Sequence, residues 1–185
     1  MEIKDFMLAI SLLQKKIIQK GLLDTFLFNY MLKGLLSYDF DEIQNNDPDL
    51  GANKSINFKI LIEKYSIHLL NNTFFTFCMN SEVEISEEVD SNKIMLIGDF
   101  EAAHICIDMS TNVVTLNDFS SHEKIATLAK NETCFMEILI VLSDYSFDLA
   151  YGNVIDKNQY LAKLISASGL ENASNIYKSV LGIWD

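Results

Sequence analysis

Arginine is absent from this chain of 185 residues, and the acidic residues outnumber the 14 lysines so far that the net charge is −12. A protein that binds nucleic acid needs basic surface to neutralise phosphates. Without arginine the chain also lacks the planar guanidinium that recognises phosphates and carboxylates through paired hydrogen bonds. The composition therefore argues against nucleic-acid binding.

Glycine, proline and cysteine are scarce, at seven, one and three residues. Few glycines and a single proline argue against a disordered chain and against a loop-rich β-sandwich. The cysteines, Cys78, Cys106 and Cys134, are odd in number and far apart in sequence, which argues against a disulfide framework and against a zinc ribbon. We expect reduced, buried thiols, and we predict neither a metal site nor a cofactor.

Long apolar runs are missing as well, because no segment reaches the roughly 18 uncharged apolar residues that suggest a membrane-spanning helix. The apolar segment 6–13 resembles the core of a signal peptide, but Glu2 and Asp5 precede it where a signal peptide carries lysine or arginine. Its apolar residues instead recur with the period of one helix face. The sequence therefore predicts an amphipathic helix, no membrane partner and a cytoplasmic protein.

Periodicity and turn residues predict the secondary structure. Three antiparallel strands are expected over residues 94–116, with breaks at Gly98-Asp99-Phe100 and at Ser110-Thr111-Asn112. Ser121 is expected to begin a short helix, and Asn131 a longer one that reaches about residue 147. The other predictions are helices over 2–20, 22–36 (or a strand), 56–70, 155–168 and 172–181, an acidic loop over 37–55, a strand over 73–79, and an edge strand or linker over 82–90.

The order of these elements, helices followed by strands followed by helices, predicts an α+β fold. We expect a single antiparallel or mixed, curved sheet with helices packed against it. The length suits one domain over residues 1–185. Within it we distinguish a helical extension with an acidic loop over 1–55, a core over 56–150, and C-terminal helices over 151–185.

One strand carries the only constellation that suggests catalysis, because His104, Cys106 and Asp108 alternate and so share a face. Neighbours on that face are roughly 7 Å apart, since each residue rises about 3.3 Å, whereas a nucleophile and its base need about 2.6–3.2 Å. His68 and His122 are isolated in the sequence, and no phosphate-binding, metalloprotease or serine-hydrolase motif is present. We therefore predict a protein that is not an enzyme, with a small thiol hydrolase as the least favoured alternative.

Acidic segments are the strongest candidates for a binding surface. Residues 39–49 and residues 82–90 carry five acidic residues each, and Asp99 and Glu101 follow them. Aromatic side chains such as Tyr38 and Phe40 lie beside the acids of the first segment. Such a surface suits docking onto a basic protein, because complementary fields speed encounter; solubilising charge is the alternative. The predicted partner-binding residues are Asp39, Asp41, Glu42, Asp47, Asp49, Glu82, Glu84, Glu87, Glu88, Asp90, Asp99 and Glu101.

Six short motifs lie between about residues 60 and 145: Tyr65-Ser66-Ile67, Phe74-Phe75-Thr76-Phe77, Leu96-Ile97-Gly98, Ile105-Cys106-Ile107-Asp108, Asn112-Val113-Val114, and Ile125-Ala126 leading to the apolar helix from Phe135 to Tyr145. Together these motifs resemble the SUKH superfamily. The chain departs from the family where Glu101-Ala102-Ala103 replaces glycines after the Ile-Gly strand, and residues 1–55 match no part of the family pattern.

The resemblance implies an α+β fold and a role without catalysis. Members of the superfamily are bacterial immunity proteins, related to a yeast cell-wall assembly regulator, that bind and block a cognate toxin domain, often a nuclease or a nucleic-acid deaminase. Such toxins tend to be basic, which agrees with an acidic chain. The expected function is therefore neutralisation of a toxin; a regulatory or scaffold protein unrelated to toxins is the alternative.

Overall fold

The computed structural model describes residues 3–21, 76–77, 85–86, 94–108 and 110–184, and the elements below are numbered within these residues. They form an α+β fold, in which helices pack against one antiparallel sheet. The elements are α1 Ile3–Lys20, β1 Thr76–Phe77, β2 Ile85–Ser86, β3 Ile94–Phe100, β4 Ala103–Asp108, β5 Val114–Asp118, β6 Lys124–Ala129, α2 Glu132–Ala150, α3 Lys157–Ser168 and α4 Ser174–Val180.

Helix α1 confirms the helix predicted at the N-terminus. Its buried side chains repeat with helical spacing and pack towards α2: Phe6, Met7, Ile10, Leu13 and Ile17. The Tyr151 hydroxyl donates to the carbonyl oxygens of Ile17 (3.3 Å) and Gly21 (3.0 Å). The end of α1, where backbone carbonyls lack helical partners, is thus held by the residue that follows α2. Within the described residues, no helix has the length and apolar character needed to cross a bilayer.

Strands β3, β4, β5 and β6 are neighbours in that order, and every pair is antiparallel. The short strands β1 and β2 both pair with the free edge of β3, β1 near its end and β2 near its start. These two pairings fall within the predicted strand 73–79 and the predicted edge strand 82–90. The three strands predicted over 94–116 are confirmed as β3, β4 and β5.

Strand β6 is the other edge of the described sheet. Thr115 pairs with Thr127 while its neighbour Val114 pairs with Ala129, so Leu128 is an extra residue on β6. A second irregularity leaves Ile125 as another extra residue. Such bulges twist an edge strand away from further pairing. The side chain of Ile125 is 58% exposed, but its backbone is poorly arranged to extend the sheet.

The break predicted at Gly98-Asp99-Phe100 is wrong, because these residues lie inside β3. The irregularity there is a bulge, in which Leu96 pairs with Cys106 and Gly98 with Ile105, leaving Ile97 as the extra residue. The chain reverses later, at Glu101-Ala102, with Glu101 at φ +52°. The turn therefore forms without the family's glycines.

The short helix predicted from Ser121 is also wrong. Residues 119–121 form a turn, and the chain returns as strand β6. The carboxylate of Asp118 accepts hydrogen bonds from the backbone N–H groups of Ser120 (2.8 Å) and Ser121 (2.9 Å). These contacts bend the chain back onto β5, and pairing with β5 then determines the strand.

Helix α2 confirms the longer helix predicted from Asn131. The Asn131 side chain caps it by accepting a hydrogen bond from the backbone N–H of Cys134 at 2.9 Å. The predicted apolar stripe is buried throughout: Phe135, Ile138, Leu139, Leu142 and Tyr145. Packing against α1 and α3 keeps the helix regular to Ala150, three residues beyond the predicted end.

The two C-terminal helices, α3 and α4, are confirmed around Gly169. Tyr177 on α4 is fully buried, and its hydroxyl donates to the carbonyl oxygen of Leu128 on β6. Lys157 at the start of α3 donates to the carbonyl oxygens of Leu181 (2.8 Å) and Gly182 (3.1 Å). A cation at the end of α4 satisfies carbonyls that the helix leaves unpaired.

Several predictions lie outside the described residues, namely the helices over 22–36 and 56–70, the acidic loop over 37–55, and most of the strand over 73–79. The predicted boundary between the extension and the core, at residues 55 and 56, falls there too. The boundary at residues 150 and 151 coincides with the end of α2.

Gly169 gives a test of how α3 packs near α2. Its φ is +66°, and an added Cβ would lie 3.1 Å from the Cys134 sulfur and 3.3 Å from the Lys130 Cβ. Gly152 has nearly the same φ, +65°, but no atom within 4 Å of such a Cβ. Gly152→Ala is therefore expected to lower the free energy of unfolding by about 1–2 kcal/mol, because of its backbone conformation alone. Gly169→Ala is expected to lower it by about 1 kcal/mol more, because the added Cβ also overpacks the site. Urea unfolding of both variants measures the difference; equal losses would contradict the packing described for Gly169.

Candidate functional site at one end of the sheet

The structure places two of the predicted partner-binding residues, Asp99 and Glu101. The other ten lie outside the described residues: Asp39, Asp41, Glu42, Asp47, Asp49, Glu82, Glu84, Glu87, Glu88 and Asp90. Their contribution to a binding surface stays a prediction. Asp99 and Glu101 belong to the hairpin formed by β3 and β4, and the topology brings a second hairpin beside them.

Both hairpin turns lie at the same end of the sheet. In consecutive antiparallel strands, the turn between β3 and β4 and the turn between β5 and β6 project in one direction, while the turn between β4 and β5 projects in the other. Seven side chains from the two turns and adjoining strand ends are called here the hairpin-end cluster: Asp99, Glu101, His104, Asp118, Phe119, His122 and Glu123.

His104 connects the two hairpins. Its Nδ1 lies 2.8 Å from a carboxylate oxygen of Asp99, directly opposite it on β3. Its ring meets Phe119 edge to face, with centroids 4.2 Å apart, and lies parallel to the ring of His122 at 6.4 Å. The imidazole therefore contacts a carboxylate on one hairpin and an aromatic ring on the other, and the pair of side chains remains 26% (His104) and 39% (Asp99) exposed.

The second hairpin is shaped by polar contacts, some of them buried. Asn117 is 5% exposed; its amide accepts a hydrogen bond from the Thr115 hydroxyl (2.8 Å) and donates to the carbonyl oxygen of His122 (3.1 Å). The backbone N–H of His122 donates to the carbonyl oxygen of Asp118 at 3.0 Å. These contacts hold His122 at φ +57°, so the imidazole position follows from the turn.

Asp118 keeps its negative charge at this end of the sheet. The hydrogen bond from the Ser121 backbone, followed by that from the Ser120 backbone, lowers the pKa of the Asp118 carboxyl, and the nearby His122 contributes in the same direction. With Asp99, Glu101 and Glu123, the cluster holds four carboxylates; Lys124 follows directly in the sequence. The exposed ring of Phe119 lies within this acidic surface.

The three residues weighed as a catalytic constellation have different surroundings. Asp108 lies at the opposite end of β4 from His104 and holds the next turn, accepting from the Ser110 hydroxyl (2.6 Å) and from the backbone N–H groups of Ser110 (2.8 Å) and Thr111 (3.2 Å). The Ser110 hydroxyl is the main reason that the pKa of Asp108 is lowered. Cys106 lies between them and is 5% exposed. His104 directs Nδ1 to Asp99.

Another polar cluster lies among the helices. Tyr160 on α3 donates its hydroxyl to the carboxylate of Asp148 on α2 at 2.6 Å, and the ammonium of Lys163 lies 4.8 Å from the centre of the Tyr160 ring. Burial raises the pKa of Asp144, one turn before Asp148; Lys16 and Lys163 oppose this shift, and the charge of Asp148 adds to it. Because these contacts join α1, α2 and α3, we interpret the cluster as structural.

No protein-family model, curated protein or solved structure matches the chain. Membership of the SUKH superfamily therefore stays a prediction that rests on the short motifs. Within the part of the chain that the structure describes, no three His, Cys, Asp or Glu side chains are grouped to hold a metal ion.

Sequence reasoning missed four members of the hairpin-end cluster: Asp118, Phe119, His122 and Glu123. The sequence predicts that Ser121 begins a helix, which would place His122 on that helix. The available signal was an aspartate followed by two serines between two runs that contain β-branched residues, a pattern typical of a tight turn.

The raised pKa of Asp144 predicts how stability depends on pH. The folded chain binds a proton there more readily than the unfolded chain, so stability decreases as the pH rises from about 4, the unfolded value, through the folded pKa. Asp144→Asn removes this titration and is expected to raise the free energy of unfolding at pH 7 while changing it little near pH 4. Urea unfolding across that range measures the difference.

Asp148→Asn is the matched control for that prediction. It removes the charged acceptor of the Tyr160 hydroxyl and is expected to lower stability by about 1 kcal/mol at pH 7. A loss of stability in Asp144→Asn at pH 7 comparable to that in Asp148→Asn would contradict the assignment of Asp144 as a destabilising charge.

Proposed function

We propose that this chain is a cytoplasmic protein without enzymatic activity that binds a basic partner protein and masks its functional surface. The hairpin-end cluster carries the proposal, because it combines four carboxylates with an exposed aromatic ring on two connected turns. Acidic side chains attract a lysine- or arginine-rich surface during encounter. The face of Phe119 offers a contact for a guanidinium or ammonium group.

The charge of the whole chain supports the same proposal. The net charge is −12, and it is uneven: residues 37–101 hold four lysines against thirteen acids, which gives −9. Asp99 and Glu101 end this segment, so the predicted acidic residues of 39–49 and 82–90 precede the cluster in sequence. We include these ten residues in the proposed docking surface.

The resemblance to the SUKH superfamily refines the proposal to an immunity protein that neutralises a toxin domain of the nuclease or deaminase class. Such a toxin binds the phosphates of its nucleic-acid substrate through a basic surface. An acidic protein bound to that surface therefore competes with the substrate. A regulatory scaffold protein predicts a different partner. Co-purification of the product of the adjacent gene, followed by a protection assay in cells, separates the two: a toxin whose activity is blocked supports immunity, and a protective effect on no toxin contradicts it.

Binding of a nona-arginine peptide, labelled with a dye insensitive to pH, tests the docking surface itself. Glu101→Gln with Glu123→Gln is expected to weaken binding about five-fold at pH 7.5 and about 0.1 M salt, the effect expected for two exposed charge pairs. Association should slow more than dissociation speeds up, and the effect should shrink as salt screens the charges. Replacing the five acids of 39–49 by Asn or Gln is expected to slow association further.

A charge-matched variant, Asp5→Asn with Glu171→Gln, removes the same charge from α1 and from the turn between α3 and α4. It is expected to change affinity less than two-fold, because these two charges lie outside the two hairpins and the Debye length at about 0.1 M salt is only about 10 Å. If both double variants weaken binding equally, the peptide responds to net charge, and the hairpin-end cluster is not the docking surface.

A further inference from the structure

Two of the three histidines in the chain lie in the hairpin-end cluster. The rings of His104 and His122 are parallel, with an interplanar angle of 8° and centroids 6.4 Å apart. His122 is exposed, and His104 is partly exposed between Asp99 and Phe119. Histidine changes its charge between pH 5 and 8, so this surface holds two groups that can change its charge near neutral pH.

The charged groups around the two rings come from every described element that adjoins them. Asp99 faces His104 from β3, and Glu101 lies in the turn between β3 and β4. In the second hairpin, Asp118 interacts electrostatically with His122, and Glu123 and Lys124 follow His122 directly in the sequence.

We propose that the hairpin-end cluster is a pH-gated docking surface, on which protonation of His104 and His122 releases a lysine- or arginine-rich partner segment. The inference rests on the proposed function and adds its regulation. Before protonation of the histidines, the cluster carries the negative charge of its four carboxylates. As the pH falls, the same end of the sheet gains up to two positive charges.

At three places, protonation of a histidine is expected to weaken the binding of a basic partner. An imidazolium at His104 forms an ion pair with Asp99 across the existing 2.8 Å contact, which cancels the attraction of that carboxylate for a partner cation. The same imidazolium lies against the ring of Phe119, so its charge repels a partner cation that approaches this ring. A charge on His122 adds repulsion at the exposed turn. Binding is therefore expected above neutral pH and is lost as the pH falls.

The experiment compares affinity for the labelled nona-arginine peptide at pH 7.5 and 5.5 and at constant ionic strength. The wild-type chain is expected to bind about five-fold more weakly at pH 5.5, the effect of two additional exposed charges. His104→Asn with His122→Asn is expected to change less than two-fold over the same range. Asparagine can keep a donor towards Asp99 and accepts the positive φ of His122.

His68→Gln is the matched control, because it alters the third histidine and is expected to retain the wild-type pH dependence. His122→Asn alone is expected to remove about half of the effect, and it provides a second variant if the double variant unfolds, as judged by circular dichroism at both pH values.

Equal weakening at pH 5.5 in the wild-type chain and in folded histidine variants would overturn the gating while leaving the docking surface intact. Loss of the pH dependence in His68→Gln would also overturn it. Failure of the folded wild-type chain to bind the peptide at pH 7.5 would overturn the proposed function, and the gating with it.

Discussion

The register between β4 and β5 is the constraint on which the rest of the described structure depends. Ile105 pairs with Leu116 and Ile107 with Val114, and all four side chains are buried in the core that the helices complete. Because side chains alternate along a strand, His104, Thr115 and Asn117 must occupy the other face. A slip of one residue would place polar groups in the core and apolar groups outside, so burial of four aliphatic side chains also fixes where the polar ones lie.

Turn carboxylates complete what the register begins. Asp108 and Asp118 each accept hydrogen bonds from the residues that follow them. The bonds to Asp118 form the turn after β5, and this turn places Phe119 against His104, and His122 beside the first hairpin. The buried amide of Asn117 ties this turn to the strand through the carbonyl oxygen of His122. Local turn chemistry therefore positions the exposed groups of the candidate site, and the core decides only the end of the sheet at which they gather.

Sequence reasoning succeeded where the determining interactions are local. The apolar positions of α1 and α2 repeat every three or four residues, and the Asn131 cap precedes α2 directly, so both helices could be predicted. Strand β6 could not: Ser120 followed by Glu123 resembles a helix capping box, and only pairing with β5 overrides that local preference. The hairpin-end cluster could likewise not be predicted as a unit, because His104 and His122 are distant in sequence and come together only through the pairing of β4, β5 and β6. Asp99 and Glu101 are predicted from charge alone, whereas the helix predicted from Ser121 places His122 on the wrong element.

The claim at the centre of this interpretation is that the two hairpin turns, and not diffuse acidity, receive a basic partner. Amide chemical-shift mapping of the ¹⁵N-labelled chain during titration with the nona-arginine peptide at pH 7.5 tests it most directly. We predict that, among the described residues, the largest shifts occur over residues 99–104 and 118–124, with saturation at one common affinity. Shifts spread evenly over acidic sites such as Asp5, Asp156 and Glu171, with no enhancement at the hairpin turns, would contradict it.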